Sequence, residues 1–319
     1  MYYVGVDLGG TNIAVGIVDE NKNILKKGSV PTMANREGEL IIKDMAALTE
    51  RLLKESNIPL SEVSYVGIAS PGVANSETGV IEYANNLPFR NFPIAALFKR
   101  YLPVKEVYVA NDANAAALGE ALAGASRGSK NSVMITLGTG VGGGVILDGK
   151  IYSGFNHAAG ELGHIVIKHG GRLCSCGRRG CWEAYSSATA LSAITREKIT
   201  ECETKHIPTV MIKDYKTTGK INARTAFNAK KQGDAIGTMV VEYYIDHLAC
   251  GIANIINIFQ PEILCIGGGI CNERDNLLIP LVEKVLCEQY TRDNPKKTRI
   301  VIAELGNDAG IIGAACLGL

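Results

Sequence analysis

Apolar positions open the chain in a run that a glycine turn interrupts. Tyr2 to Val18, YYVGVDLGGTNIAVGIV, reads as a strand, a glycine turn and a second strand, and Ser132 to Leu147, SVMITLGTGVGGGVIL, repeats that plan. One structural unit used twice is the expectation. Setting Gly9 against Gly138 places Asp7 opposite Thr136, so both halves keep the turn and only the first keeps the acid. That asymmetry predicts that one half positions a metal ion while the other mainly holds phosphate. Elsewhere, Leu40 to Ser56 has helical periodicity, Val63 to Ala69 and Val107 to Ala110 read as short buried strands, and Asn114 to Ala123 as an alanine-rich helix. A long helix around Met239 to Phe259 leads through Gln260 and Pro261 into a strand, Ile263 to Ile266, that empties into three glycines at 267 to 269. Asp308 to Leu319 reads as a small-residue helix, and Thr195 to Ile221 as short helices with a surface connection. The sum is α/β architecture with mixed sheets. The polar, glycine-rich GASRGSKN, residues 124 to 131, has no apolar periodicity and is the natural domain boundary, with a cleft expected there.

Composition narrows the class. At 319 residues with 46% hydrophobic content, the chain is long enough for two ordinary domains. A formal charge of +1, with Lys and Arg scattered through polar helices, offers no basic stripe for nucleic acid. Met1 leads directly into a strand with no signal-peptide pattern, and no apolar run approaches transmembrane length, so a cytoplasmic protein without a membrane partner is expected. Nine cysteines, an odd number, fit a reducing compartment better than a disulfide framework.

Four of the heteroatom side chains between Glu161 and Glu183, ELGHIVIKHGGRLCSCGRRGCWE, form a candidate metal set. His164, Cys174, Cys176 and Cys181 supply one imidazole and three thiolates, a complete tetrahedral shell for structural zinc. Such a shell leaves no open position, so this zinc shapes a surface and the reacting groups lie elsewhere. His157 and His169 are rivals for the metal that the ELGH setting disfavours; His206 and His247 read as ordinary surface or helix residues. A thiol-dependent oxidoreductase using the C-x-C pair is the competing reading, and it leaves the glycine turns unexplained.

The turn DLGGT sets Asp7 at a strand end, where a hard carboxylate suits magnesium, before Gly9, Gly10 and the Thr11 hydroxyl. Gly138, Thr139 and Gly140 offer a second phosphate-holding turn, and Gly268 and Gly269 bare backbone for the base or ribose of a nucleotide. Neither turn is a Walker A loop, since the lysine is absent, nor a dinucleotide fingerprint opening onto a helix. Asn111 and Asp112 end a strand and start a helix; capping is one reading, and general-base catalysis on a hydroxyl is another that capping does not exclude. Glu161 and Glu183 flank the zinc set and can accept hydrogen bonds from sugar hydroxyls, while exposed surface acids are the plain alternative. Asn85 and Asn86 follow a short run after the SPG turn at 70 to 72, where turn formation explains them as well as a polyol contact does.

Together DLGGT at 7 to 11, SPG at 70 to 72, ND at 111 and 112, GTGVGGG at 138 to 144, ELGH at 161 to 164 and CSCGRRGCWE at 174 to 183 resemble the ROK family of sugar kinases, most of all its bacterial ATP-dependent glucokinases. The resemblance covers essentially the whole chain. It implies a two-lobed, actin-like (ribonuclease H-like) ATPase fold with a duplicated core and an active-site cleft between lobes. The lobes would span 1 to 123, joined by the C-terminal helix 308 to 319, and 124 to 307. By that resemblance Asp112 is the catalytic base, Asn86, Asn111, Asp112, Glu161, His164 and Glu183 contact sugar, and Asp7 stands near magnesium-bound phosphates. The zinc ligands fall on His164, Cys174, Cys176 and Cys181. D-glucose and ATP are the implied substrates, with another hexose, an N-acetylhexosamine, or a non-catalytic sugar sensor as alternatives, and a homodimer or homotetramer the implied assembly. Ser70 replaces the alanine that many relatives place before Pro-Gly. Family repressors carry a helix-turn-helix domain ahead of the sugar-binding part, for which a chain starting at the phosphate-loop strand leaves no room.

Overall fold

The computed structural model describes all residues from Met1 to Leu319. The first stretch runs β1 (Tyr2–Leu8), β2 (Asn12–Asp19), β3 (Ile24–Pro31), α1 (Gly38–Glu55), β4 (Val63–Ser70), β5 (Val73–Asn75), β6 (Val80–Tyr83), β7 (Arg90–Phe92), α2 (Ile94–Tyr101), β8 (Val107–Asn111) and α3 (Asp112–Ala123). There follow β9 (Ser132–Leu137), β10 (Val141–Leu147), β11 (Lys150–Ile151), α4 (Glu183–Ser186), α5 (Ala188–Thr204), α6 (Val210–Thr218), α7 (Ala223–Lys231) and α8 (Ala235–Phe259). The chain ends with β12 (Ile263–Gly267), α9 (Asp275–Glu288), β13 (Arg299–Ile302) and α10 (Ala309–Ala315).

Two sheets of five strands carry the duplication. Their orders, β3-β2-β1-β4-β8 and β11-β10-β9-β12-β13, correspond position by position. The pairing senses that can be matched agree as well: β2 with β3 and β10 with β11 are antiparallel, β4 with β8 and β12 with β13 parallel. The chain divides into two compact units, one of Met1–Met134, Gly144–Gly160 and Ala303–Leu319, the other of Ile135–Gly143 and Glu161–Ile302. The division runs through β9 and β10, and the glycine-rich residues 124 to 131 lie inside the first unit.

In the first unit β1 and β2 bury most of their positions, on both faces, because helices cover one face and α10 covers the other. Ile41, Ile42, Met45, Leu48 and Leu52 of α1 form the apolar stripe that closes one side. On the other side α10 approaches so closely that a Cβ on Gly67 would collide with the carbonyl oxygen of Ala314. The C-terminal helix is shorter than its composition suggests: it spans Ala309–Ala315 after a 3-10 turn at Gly306–Asp308, not Asp308 to Leu319. The carbonyl of Ala315 is taken by the Tyr65 hydroxyl at 2.7 Å, so a tertiary contact occupies the last turn.

The second unit is built around α8, which starts where Asp234 accepts a hydrogen bond from Gly237 N at 2.7 Å and stops at Gln260, left-handed at φ 43°. Trp182, Tyr185, Phe227 and Tyr244 are its largest fully buried side chains. The stretch 195 to 221 is a short helix with a surface connection only from Lys205 onward, in the exposed link to α6 and α6 itself; before that it is the end of the 17-residue α5, which buries Ile199 and Cys202 there. No helix is long and apolar enough to cross a membrane.

Candidate active site and metal centre

The first unit gathers the two aspartates. Asp7 is the last residue but one of β1, just before Gly9 and Gly10, and this turn is fixed by Gly9 N to Asn12 O at 2.9 Å and by the Thr32 hydroxyl donating to Gly9 O at 2.6 Å. Thr11 is exposed at its rim, and a Cβ on Gly10 would stand 3.5 Å from the Cβ of Asn86, which places that asparagine against the turn. Asp112 begins α3. Asn111 is its N-cap, accepting from Ala113 N at 2.9 Å and Asn114 N at 3.2 Å, while its own amide donates to Gly72 O at 3.1 Å. Capping and site-building are thus one arrangement: β4 pairs with β8 at Ser70 and Asn111, and the cap then draws in the SPG turn.

Electrostatics single out both carboxylates. Burial, and after it the negative charge of Asp112, pushes the Asp7 carboxyl up to about 6. Burial also raises Asp112, opposed by the Ala113 N–H and the start of its helix, which favour the ionised form. A Cβ on Gly310 would lie 2.5 Å from Asp7 Oδ2, so α10 forms the wall behind that carboxylate. Two like charges drawn out of water and walled by backbone suit a divalent cation, and an oxygen donor of this type fits magnesium.

In the second unit the metal set closes as its spacing implies. The donor atoms of His164, Cys174, Cys176 and Cys181 all lie within 4.8 Å of one another. Zinc–sulfur bonds of about 2.3 Å and zinc–nitrogen bonds of about 2.0 Å at tetrahedral angles put sulfurs roughly 3.8 Å apart and a sulfur–nitrogen pair roughly 3.5 Å apart. The observed separations are 3.7 Å for Cys176 Sγ to Cys181 Sγ and 3.6 Å for Cys174 Sγ to His164 Nδ1. That agreement is the fit test, and zinc passes it; a disulfide, at about 2.05 Å, does not. Burial and the neighbouring thiols push Cys181 up to about 12, so without a cation it stays protonated at neutral pH. With Nδ1 toward the metal, His164 turns Nε2 the other way, 4.0 Å from Glu161 Oε2. His157, His169 and His247 stand outside the set; His247 stacks on Tyr185 at 4.6 Å instead.

Glu183 is no free surface acid. Its Oε2 accepts from Val141 N at 3.0 Å and its Oε1 from Ser175 Oγ at 2.8 Å, tying the zinc loop to the glycine turn. Gly138 N bonds Gly140 O across that turn at 3.0 Å. Gly268, at φ 99°, brings its backbone against Leu137 O, where a side chain would collide, so the turn at 268 and 269 abuts the one at 138 to 140. Thr139 lies between the two glycines of the latter. Sequence reasoning missed Thr32 and the role of Val141 N. No local pattern marks either, because each acts through a partner more than twenty residues away.

A sequence model of the ROK family matches residues 3–319. The glucokinase of Thermotoga maritima is 40% identical over 320 residues, 98% of this chain and 96% of that protein. The glucokinase of Halalkalibacterium halodurans is 38% identical over 318 residues, covering 99% and 94%. Among solved structures, a ROK family glucokinase from Streptomyces griseus, in complex with glucose and AMPPNP, matches with a TM-score of 0.80 at 31% identity over 99% of each chain.

Proposed function

From a chain that belongs to the ROK family and has its actin-like ATPase fold, we propose transfer of the γ-phosphoryl group of ATP to the 6-hydroxyl of D-glucose, giving glucose 6-phosphate and ADP. Asp112 carries the reading: a carboxylate at a helix start, raised by burial toward the basicity a proton acceptor needs, yet held ionised by the helix. It aligns the sugar hydroxyl and accepts its proton as the oxygen attacks phosphorus.

Asn86, Asn111, Glu161, His164 and Glu183 bind sugar hydroxyls in this reading, with His164 and Glu183 oriented by the zinc loop. Gly9, Gly10 and Thr11, Gly138, Thr139 and Gly140, and Gly268 and Gly269 present backbone and hydroxyl donors to ATP. Magnesium, held near Asp7, neutralises phosphate charge when bound. Zinc on His164, Cys174, Cys176 and Cys181 supplies rigidity only. A cytoplasmic enzyme, assembled as a homodimer or homotetramer, completes the proposal; nine free cysteines suit that compartment.

The test is an ADP-coupled assay with magnesium against glucose, mannose, fructose and N-acetylhexosamines, run on the wild type and Asp112→Asn. Glucose is the expected best substrate, with turnover of the variant down about a thousandfold and sugar affinity nearly unchanged. A preferred N-acetylhexosamine overturns the substrate alone, near-normal turnover of the variant removes Asp112 from its role, and sugar binding without turnover of any sugar makes the chain a sensor.

A further inference from the structure

A cavity of about 510 Å³ lies wholly in the first unit and is not accounted for by phosphoryl transfer. Leu118 and Leu122 of α3, Ile151 of β11 and the ring of Tyr108 give it an apolar lining, and no Asp or Glu side chain lines it. Its charged side chains are Lys22 and Lys150, and the terminal residue Leu319, which bears the α-carboxylate, lines it as well, so the lining carries a net charge of about +1. Nearby Lys26 and Lys27 are paired with Glu55 and Asp308, whereas neither cavity lysine has an acidic side-chain partner. Lys22 is held in place by its backbone: it sits left-handed, at φ 68°, in the turn between β2 and β3, with its N–H bonded to Asp19 O at 3.0 Å. Burial pushes the thiol of Cys316, another lining residue, up to about 11, and the Lys22 charge opposes that rise, which sets the ammonium within electrostatic reach of the wall. Asn114 also lines the cavity. It is 3% exposed, and its Oδ1 accepts no hydrogen bond, an uncommon condition for a buried amide.

A half-open, largely apolar recess with two lysines that have no acidic side-chain partner and an unsatisfied polar wall has the composition of a small-molecule site. We propose that it is a second ligand site, for an apolar-bodied carboxylate of roughly ten to fifteen carbon atoms, whose tail lies along Leu118, Leu122 and Ile151 and whose carboxylate meets Lys22 and Lys150. The charge complementarity decides the sign of the ligand, and the lining decides its body. Because Asn111 and Asn114 lie in the same wall, an occupant touches the helix turn that carries Asp112.

The experiment is calorimetric titration of decanoate, and separately of the neutral decanol, into the full chain with glucose at saturation. It is repeated on the variant Lys22→Glu with Lys150→Glu, and on Leu122→Trp, which fills the recess. One decanoate per chain is expected, undisplaced by glucose, with at least tenfold weaker binding for decanol and for the double charge variant, and none for Leu122→Trp. The charge variant changes two partly or fully exposed side chains, so it tests the site even where the tryptophan prevents folding. Absence of saturable decanoate binding overturns the proposal, as does equal affinity for decanol or for the charge variant.

Discussion

Asp7 shows at the scale of one residue how function is set against stability. Its folded carboxyl titrates near 6 against a usual 3.8, so the fold favours the protonated form. The cost of ionising it is therefore absent below the unfolded value and fully present above about 6, and stability contributed by this group is lost as pH rises through that window. A carboxyl raised this far costs roughly 3 kcal/mol to ionise beyond its cost in the unfolded chain. In metal-free protein, Asp7→Asn removes that cost: the variant should be more stable than the wild type in urea by about 2 to 3 kcal/mol at pH 8, the difference vanishing toward pH 4. A difference independent of pH would show that desolvation of the charge is not its source. Much of this was legible beforehand, since an acid closing an apolar strand before two glycines is a local pattern. The environment that shifts it was not, because Asp112 and Gly310 are distant in sequence and nothing in the spacing pairs them with Asp7.

At the scale of an element, the zinc loop was the most readable part of the chain. Ligands within eighteen residues are brought together by local turns, so residue type and spacing are nearly sufficient. The way the loop is seated was not readable: Trp182, next to Cys181, is fully buried and donates from its indole to His247 O at 3.0 Å on α8, and Tyr185 stacks on the same histidine. Since Trp182 is the only tryptophan, its fluorescence reports the seat directly. Chelating the zinc, or replacing Cys176 with Ser, should shift Trp182 emission to longer wavelength and weaken sugar binding by about tenfold or more. Verified metal loss with emission and sugar affinity both unchanged would deny the metal its structural role. The correction at α5 has the same origin as the seating. Charged residues there face outward on a helix whose buried side is set by α7 and α8, so polarity alone read the end of a long helix as part of a set of short helices with a surface connection.

For the molecule as a whole, α10 is the test piece. All seven of its residues are buried, and it packs on β1, β4 and α3 although it comes last in the chain. Removing residues 309 to 319 uncovers one face of the first sheet and takes away the burial of Ile311 and Ile312, together on the order of 5 kcal/mol, as much as many domains have in total. Hydrogen exchange should then show β1 and β4 unprotected; retained protection in both would mean that α10 is dispensable to the first unit. The sequence by itself determined the repeated strand–turn–strand plan, the α/β class, the metal ligands and the two candidate aspartates, because each is written in periodicity or in residue type at short spacing. Tertiary structure alone decided that Glu183 holds Val141, that the turn at Gly268 abuts the one at Gly138, that two lysines face one apolar recess, and that the small residues of the last helix close over the first strand. Those are contacts between segments far apart along the chain, and their energies depend on approach distance and burial, which no local pattern carries.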